Sequence, residues 1–250
     1  MVVGAEELPD LVESSRAQVR DLAEQFFGDL PAGRKVDRVK ASAKLEESKN
    51  LVLEDRVELP RLYISWLTPA MFAGGDADLD LAADILANGK TSRLYRTLVY
   101  DKRIAVDVSA YQHSRELSSF FLLAATAAPG QSLTDITALV DERIQQLADE
   151  GPVDEEMERG LAQAEAHFMY RLQTVGGFGG KSDQLNAYNV FRGNPDYFAG
   201  DLERYRGATR ESVRNAARKY LAFDRRVLLS IVPRGQAALA LPGSEPVTVS

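Results

Sequence analysis

The sequence predicts an α+β domain: an antiparallel β-sheet covered by helices on one face, preceded by a helix and a linker. Three observations carry this expectation. The β-rich runs fall in neighbouring pairs instead of alternating strictly with helices, which favours an antiparallel sheet under a helical layer over a doubly wound parallel sheet. A long block of helical periodicity then separates the second pair of runs from a last, isolated one. The composition, 45% hydrophobic and 27% charged over 250 residues, is that of a globular chain with material for a packed core.

Residues 8–27 read as an amphipathic helix, with Leu8, Leu11, Val12, Val19, Leu22, Ala23, Phe26 and Phe27 at helical spacing and Gly28 and Pro31 as stops. Residues 31–50 have no apolar period, are rich in charge and small side chains, and read as an extended linker. Strands are expected at 52–58 and 61–68 as neighbours across Leu59-Pro60, the second half-buried because Leu62, Ile64 and Trp66 alternate with Arg61, Tyr63 and Ser65. Gly74-Gly75-Asp76 opens a helix over 76–86, with Leu79, Leu81, Ala82, Ile85 and Leu86 on one face and Asn88-Gly89 at its end. A short helix over 92–100 follows. Residues 105–113 and 118–127 alternate as two strands around the Ser114-Arg115-Glu116 turn. Helices are then expected at 132–150, 154–174, 181–191 and 209–221, the last opened by Thr209-Arg210-Glu211-Ser212, followed by a strand at 226–233 and a tail over 236–250.

Several function classes close on composition alone. The chain has no cysteine, which removes disulfides, thiolate metal sites and cysteine nucleophiles. That absence suits a bacterial cytoplasm and a periplasm equally, so the compartment stays open. A net charge of −7, from 30 basic and 37 acidic residues, argues against a nucleic-acid partner. No stretch approaches the roughly 20 apolar residues of a membrane span, so none is expected. Met1-Val2-Val3-Gly4 runs at once into Glu6 and Glu7, without the basic and apolar regions of a signal peptide, and reads as the end of a strand.

The motifs with chemical meaning are sparse. A zinc enzyme brings three imidazole or carboxylate ligands together, commonly with two histidines one helical turn apart. Here His113 ends a strand and His167 stands on a helix without a histidine partner, so no metal site and no catalytic residue is expected on this chain. No G-x-S-x-G elbow is present. Gly176-Gly177-Phe178-Gly179-Gly180-Lys181-Ser182 ends like a phosphate loop, but its glycine spacing is wrong and it follows a helix instead of a strand. It reads as a loop between helices, and four glycines around one aromatic also suit close approach of an extended peptide backbone. Glu155-Glu156 and Glu46-Glu47 read as acids on a solvated face, the former pair at a helix start.

Taken in order, several segments resemble the insulinase/pitrilysin-type zinc metallopeptidases. Leu86-Ala87-Asn88-Gly89-Lys90-Thr91-Ser92-Arg93-Leu94-Tyr95, with Leu98, Asp101-Lys102 and Ala105-Val106-Asp107-Val108, is similar to that family's L-x-G-G-x-x-S-R-L … L-R-E-x-x-G-L-A-Y. Upstream, Met1-Val2-Val3-Gly4 and Phe26-Phe27-Gly28-Asp29-Leu30-Pro31-Ala32-Gly33 are similar to the end of a catalytic-type domain. Downstream, Gly193-Asn194-Pro195-Asp196-Tyr197 and the run from Ala208 to Leu221 are similar to G-x-P-x-Y … V-T-x-E-D-V-x-x-A-A-x-K-Y-L. The likeness covers about residues 1–235.

The resemblance implies a division of labour. One domain of such proteins carries H-x-x-E-H and zinc; its homologous partner lacks the ligands and closes the other side of a peptide-holding chamber. This chain has no H-x-x-E-H and resembles the non-catalytic domain. The implied organisation is 1–34 as the end of a preceding catalytic-type domain, 35–50 as linker, 51–235 as the non-catalytic domain and 236–250 as tail. Zinc is expected only in a partner catalytic domain, in the same polypeptide or another subunit, and the substrate is expected to be a peptide. Some partner domains supply an Arg and a Tyr to the substrate; Arg192 with Tyr197 or Tyr205 lies in the corresponding region, although the spacing departs from Arg-x6-Tyr and Arg192 also reads as a plain surface charge. With Gly176, Gly177, Phe178 and Gly179 these form the candidate substrate-binding set. The acidic surplus would favour basic peptides. Two other readings stand beside this one: a structural or assembly subunit of the same family without proteolysis, and an unrelated small-molecule binder built around a single apolar pocket.

Overall fold

A computed structural model describes residues 8–31, 33–34, 37, 39, 43–176 and 178–247. The chain divides into two compact units, residues 1–39 and 40–250. In the first, α1 (Leu8–Phe27) is a helix as its periodicity requires, and Val19, Leu22, Phe26 and Phe27 of its apolar stripe are exposed. The strand end expected at residues 1–4 lies outside the described residues.

The second unit is a six-stranded sheet with helices over one face. Its strands are β1 (Lys49–Asp55), β2 (Arg61–Thr68), β3 (Ala105–His113), β4 (Ser119–Ala127), β5 (Val227–Pro233) and β6 (Glu245–Pro246). Its helices are α2 (Asp76–Ala87), α3 (Leu133–Glu150), α4 (Asp154–Gln173), α5 (Lys181–Arg192), α6 (Phe198–Arg206) and α7 (Arg210–Tyr220). The sheet order is β3-β4-β2-β5-β1-β6, antiparallel from β3 to β5 and parallel where β1 meets β5 and β6. The expected α+β class and mostly antiparallel sheet are therefore what the chain forms.

Two local expectations are corrected. β1 and β2 are not sheet neighbours, because β5 lies between them, pairing Leu51 with Leu229 on one side and Tyr63 with Leu229 on the other. The link over residues 56–60 spans two strand spacings, roughly 10 Å, and the nearly continuous apolar run Val227–Pro233 suits an interior strand better than either neighbour does. The segment read as a tail also has structure: a 3-10 turn at Ala237–Leu239 precedes β6, which pairs with Leu51 and Val52 at the sheet edge.

Alternation sets the two faces of the sheet. Leu62, Ile64 and Trp66 of β2, Phe121 and Leu123 of β4 and Leu228 of β5 point into the core shared with α2, α3 and α7. Arg61, Tyr63, Ser65 and Leu67 take the other, half-buried face. The helices over the core start and stop as their sequences dictate. Ser132 accepts from the Thr134 N–H to cap α3, which buries Ile136, Val140, Ile144 and Leu147. Thr209 and Ser212 exchange capping hydrogen bonds at α7. Gly75 before α2 has φ 94°, and a Cβ there would lie 3.1 Å from the Tyr220 ring, so conformation and space both call for glycine.

The expected short helix over 92–100 is a π-helical stretch, Tyr95–Asp101, whose end is left-handed at Arg103, φ 56°. A residue just past a helix C-terminus commonly takes this conformation as glycine, because a Cβ there is strained by about 1 kcal/mol. Arg103 is exposed. Arg103→Gly is therefore expected to stabilise the domain by about 0.5–1 kcal/mol. Urea unfolding checks it, and an unchanged or lower midpoint would remove the strain argument.

Candidate functional site

The segment that carries the S-R-L similarity has a structural task. The Ser92 hydroxyl donates to the Gly89 carbonyl at 2.8 Å, Arg93 grips Glu156 through two hydrogen bonds of 2.8 and 2.7 Å and reaches the Gly151 carbonyl at 2.9 Å, and Leu94 is fully buried. Glu156, expected on a solvated face, is thereby the half-buried partner that ties the π-helical stretch to the α3–α4 junction.

A cleft of about 1120 Å³ lies elsewhere, between α2, β3, α4, α5 and α6. Its α2 wall presents Asp76, Asp80 and Asp84, four residues apart and so on one stripe of the helix. Each carboxylate is held differently. Asp76 is 2% exposed and accepts from the Phe72 N–H at 2.9 Å, the Gln112 amide at 3.2 Å and the Ser114 hydroxyl at 2.6 Å, and it pairs with Arg204 at 3.0 Å. The other arm of Arg204 meets Asp201 at 3.1 Å. Asp201 accepts from the Tyr188 hydroxyl at 2.8 Å, which itself accepts from Gln184 at 2.7 Å.

Asp80 accepts from the Tyr205 hydroxyl at 2.6 Å. Burial holds the Asp80 carboxyl up at about 7; the Tyr205 hydrogen bond and Arg204 pull it down, while the charges of Asp76 and Asp84 add to the rise. Asp84 and Asp201 are raised as well, burial being the main cause in both. Burial and then Arg171 push His167, on the α4 wall, below the ordinary imidazole value, against the pull of Asp84.

Over one end of the cleft stands an aromatic cluster. Phe72 has φ 63°, a left-handed backbone that costs a non-glycine residue of order 1 kcal/mol. Its ring sits 5.8 Å from both Tyr188 and Tyr197, with the Arg204 guanidinium 5.1 Å from its centroid.

The sequence-selected residues fall in three places. Arg192 and Tyr197 meet, with the guanidinium 4.6 Å over the ring at the end of α5 and the start of α6. Tyr205 is apart from them on α6, facing Asp80. Gly176, Phe178 and Gly179 lie in the α4–α5 loop, where Phe178 is wholly exposed and Gly179, φ 76°, lines the cleft with its N–H donated to Asp183 at 2.9 Å. Gly177 lies outside the described residues. The sequence reading passed over the Asp76, Asp80 and Asp84 stripe, although three of the four aspartates in DADLDLAADILA stand at helical spacing.

Among the described residues no group of three His, Cys, Asp or Glu side chains is placed to hold a metal ion. No described helix is long and apolar enough to cross a membrane. What the cleft offers is one carboxyl, Asp80, held up at about 7, together with side-chain amides and aromatic faces.

The domain is thus a mixed sheet under one helical layer, with an open polar cleft between its helices. The chain belongs to the peptidase M16 inactive domain family, whose sequence model matches residues 14–164. No curated protein matches the chain. Among solved structures, a protease from Helicobacter pylori superposes with a TM-score of 0.76 at 18% identity, covering 87% of this chain and 52% of that one. A peptidase M16 inactive domain from Pseudomonas fluorescens gives 0.72 at 18% identity, covering 93% and 53%. The ferredoxin protease FusC, solved as an E83A mutant with Arabidopsis ferredoxin, gives 0.64 at 19% identity, covering 87% and 24%. At such identities the likeness speaks for the fold. The chain spans about half the length of the first two and a quarter of the third.

Proposed function

We propose that this chain is the non-catalytic half of a zinc-dependent metalloendopeptidase, forming one wall of a peptide-holding chamber and working with an H-x-x-E-H domain in the same polypeptide or in a partner subunit. The observation that carries the reading is membership of the inactive-domain family, in a chain whose fold matches about half of a Helicobacter pylori protease. Residues 51–235 are the non-catalytic domain in this reading, 1–34 the end of a preceding catalytic-type domain and 35–50 the linker between them. Zinc belongs to the partner. Substrate held between two domains is desolvated on closure and released when they part, so one half can dispense with ligands of its own.

The substrate-facing set is Arg192 with Tyr197, Tyr205, and the loop Gly176, Gly177, Phe178 and Gly179. A wholly exposed aromatic on a glycine-rich loop supports an apolar anchor for a peptide, and a ferredoxin complex of a similarly folded protease supports polypeptide substrates. The acidic α2 wall suits basic ones. Purified alone, the chain is expected to bind no stoichiometric zinc by elemental analysis and to cleave no fluorogenic peptide. Adding the H-x-x-E-H partner is expected to give chelator-sensitive cleavage. Chelator-sensitive activity of the chain by itself would overturn the assignment, and a stable partner complex inert toward peptides would favour the assembly-subunit reading.

A further inference from the structure

The helices of the second unit cover one face of the sheet, where Leu62 and Ile64 are 0% exposed. The opposite face carries side chains of the same kind without that cover. Leu51, Leu229 and Tyr63 stand side by side in one cross-strand row and Leu53, Ile231 and Arg61 in the next, and all six are partly exposed. Leu122 and Phe120 of β4, also partly exposed, carry the apolar surface one strand further. Single exposed apolar residues are normal on any soluble surface, whereas a continuous area over four strands marks a place where something docks.

Backbone, size and charge say what fits. β5, β2 and β4 are interior strands, paired on both sides, so their backbone has no N–H or C=O to offer an incoming chain. An extended peptide laid across them would leave its own amides and carbonyls unpaired. A helix satisfies its backbone internally, and with its side chains it is about 10–12 Å across. The four strands β1, β5, β2 and β4 span three spacings, roughly 15 Å, so one helix covers the face.

The charge is Arg61. It lies within the apolar area, its guanidinium 5.2 Å from the Tyr63 ring centroid, and its Nε is buried without a hydrogen-bond partner among the described residues. Covering the face takes this cation further from water, which is costly unless a carboxylate arrives with the cover. A second copy of the chain fits less well. Two such faces stacked together bring two Arg61 side chains into one apolar layer, and neither set of cross-strand rows holds an acid beside them.

We propose that this sheet face is the docking site for an amphipathic helix of a partner polypeptide, a helix whose apolar stripe is interrupted by one carboxylate that meets Arg61. The docking requires neither zinc nor cleavage.

A photo-cross-link made in the cells that produce the protein tests it. With benzoylphenylalanine in place of Leu229, or of Leu122, irradiation should join the face to a helical segment, and mass spectrometry should map the link to an apolar stripe within one turn of an Asp or Glu. Arg61→Glu should lower the yield about tenfold or more, and exchanging the mapped acid for lysine should restore it in that background. Thermal melts of the purified variants check that the sheet is intact. A link between two copies of this chain, a link to a non-helical or basic segment, a lipid adduct, or no adduct from either position overturns the proposal. So does a yield indifferent to Arg61→Glu in a protein that melts like wild type. None of these results bears on zinc content or peptide cleavage, so the docking site and the chamber-wall reading fail separately.

Discussion

Replacing Trp66 by alanine is expected to cost about 4 kcal/mol of stability. The indole is 1% exposed, lies edge-on to Phe121 with ring centroids 5.9 Å apart, and donates its N–H to the Ala222 carbonyl at 3.0 Å. Truncation therefore removes a large buried area, opens a cavity in a core whose neighbours come from three elements, and leaves a carbonyl without its donor. Trp66→Phe should recover most of the packing and lose the hydrogen bond, costing about 1–2 kcal/mol. Denaturant melts of the pair separate the two contributions. Equal losses in both variants would mean that the hydrogen bond, not the ring, dominates.

Arg204→Met is expected to cost about 3 kcal/mol at neutral pH. The guanidinium stands between Asp76 and Asp201, whose side chains are 3% and 9% exposed, so its removal strands two buried carboxylates without a cation. Methionine keeps most of the packing volume, which isolates the charge. The loss should shrink as pH falls toward 4. Burial already raises Asp201 above the ordinary carboxyl range, and without Arg204 that rise grows, so destabilisation is full above the raised value and disappears as the acid protonates. Thermal melts from pH 4 to 8 check this; a loss independent of pH would assign the effect to packing.

Elements whose burial is apolar and whose ends carry capping residues were legible in the chain. Residues 105–113 form β3 with the expected bounds, and Ser132 and Thr209 cap α3 and α7 where a cap–helix pattern places them. α6 was not, because its buried face is Asp201 with Leu202, flanked by Arg204 and Tyr205, and a search for apolar period passes over a helix held by charges. The same blindness hid the cleft. Its α2 wall consists of aspartates whose partners, Gln112, Ser114, Arg204 and Tyr205, come from distant parts of the chain, and no local pattern brings them together. The strand order failed for a related reason. Leu59-Pro60 looks like a hairpin connection, and nothing near it announces that a strand from residue 227 onward will enter the gap.

That late insertion governs how the domain can be made. β1 and β2 emerge early in synthesis, yet the strand that joins them arrives some 170 residues later, after every helix of the covering layer. Until then each presents a row of unpaired amides and carbonyls beside an apolar face, the condition under which chains stick to one another. A ribosome that stalled before Val227 would release a protein with all its helices and an unzipped sheet. Shortening the chain from its far end should therefore show up as insolubility well before it shows up as lost binding.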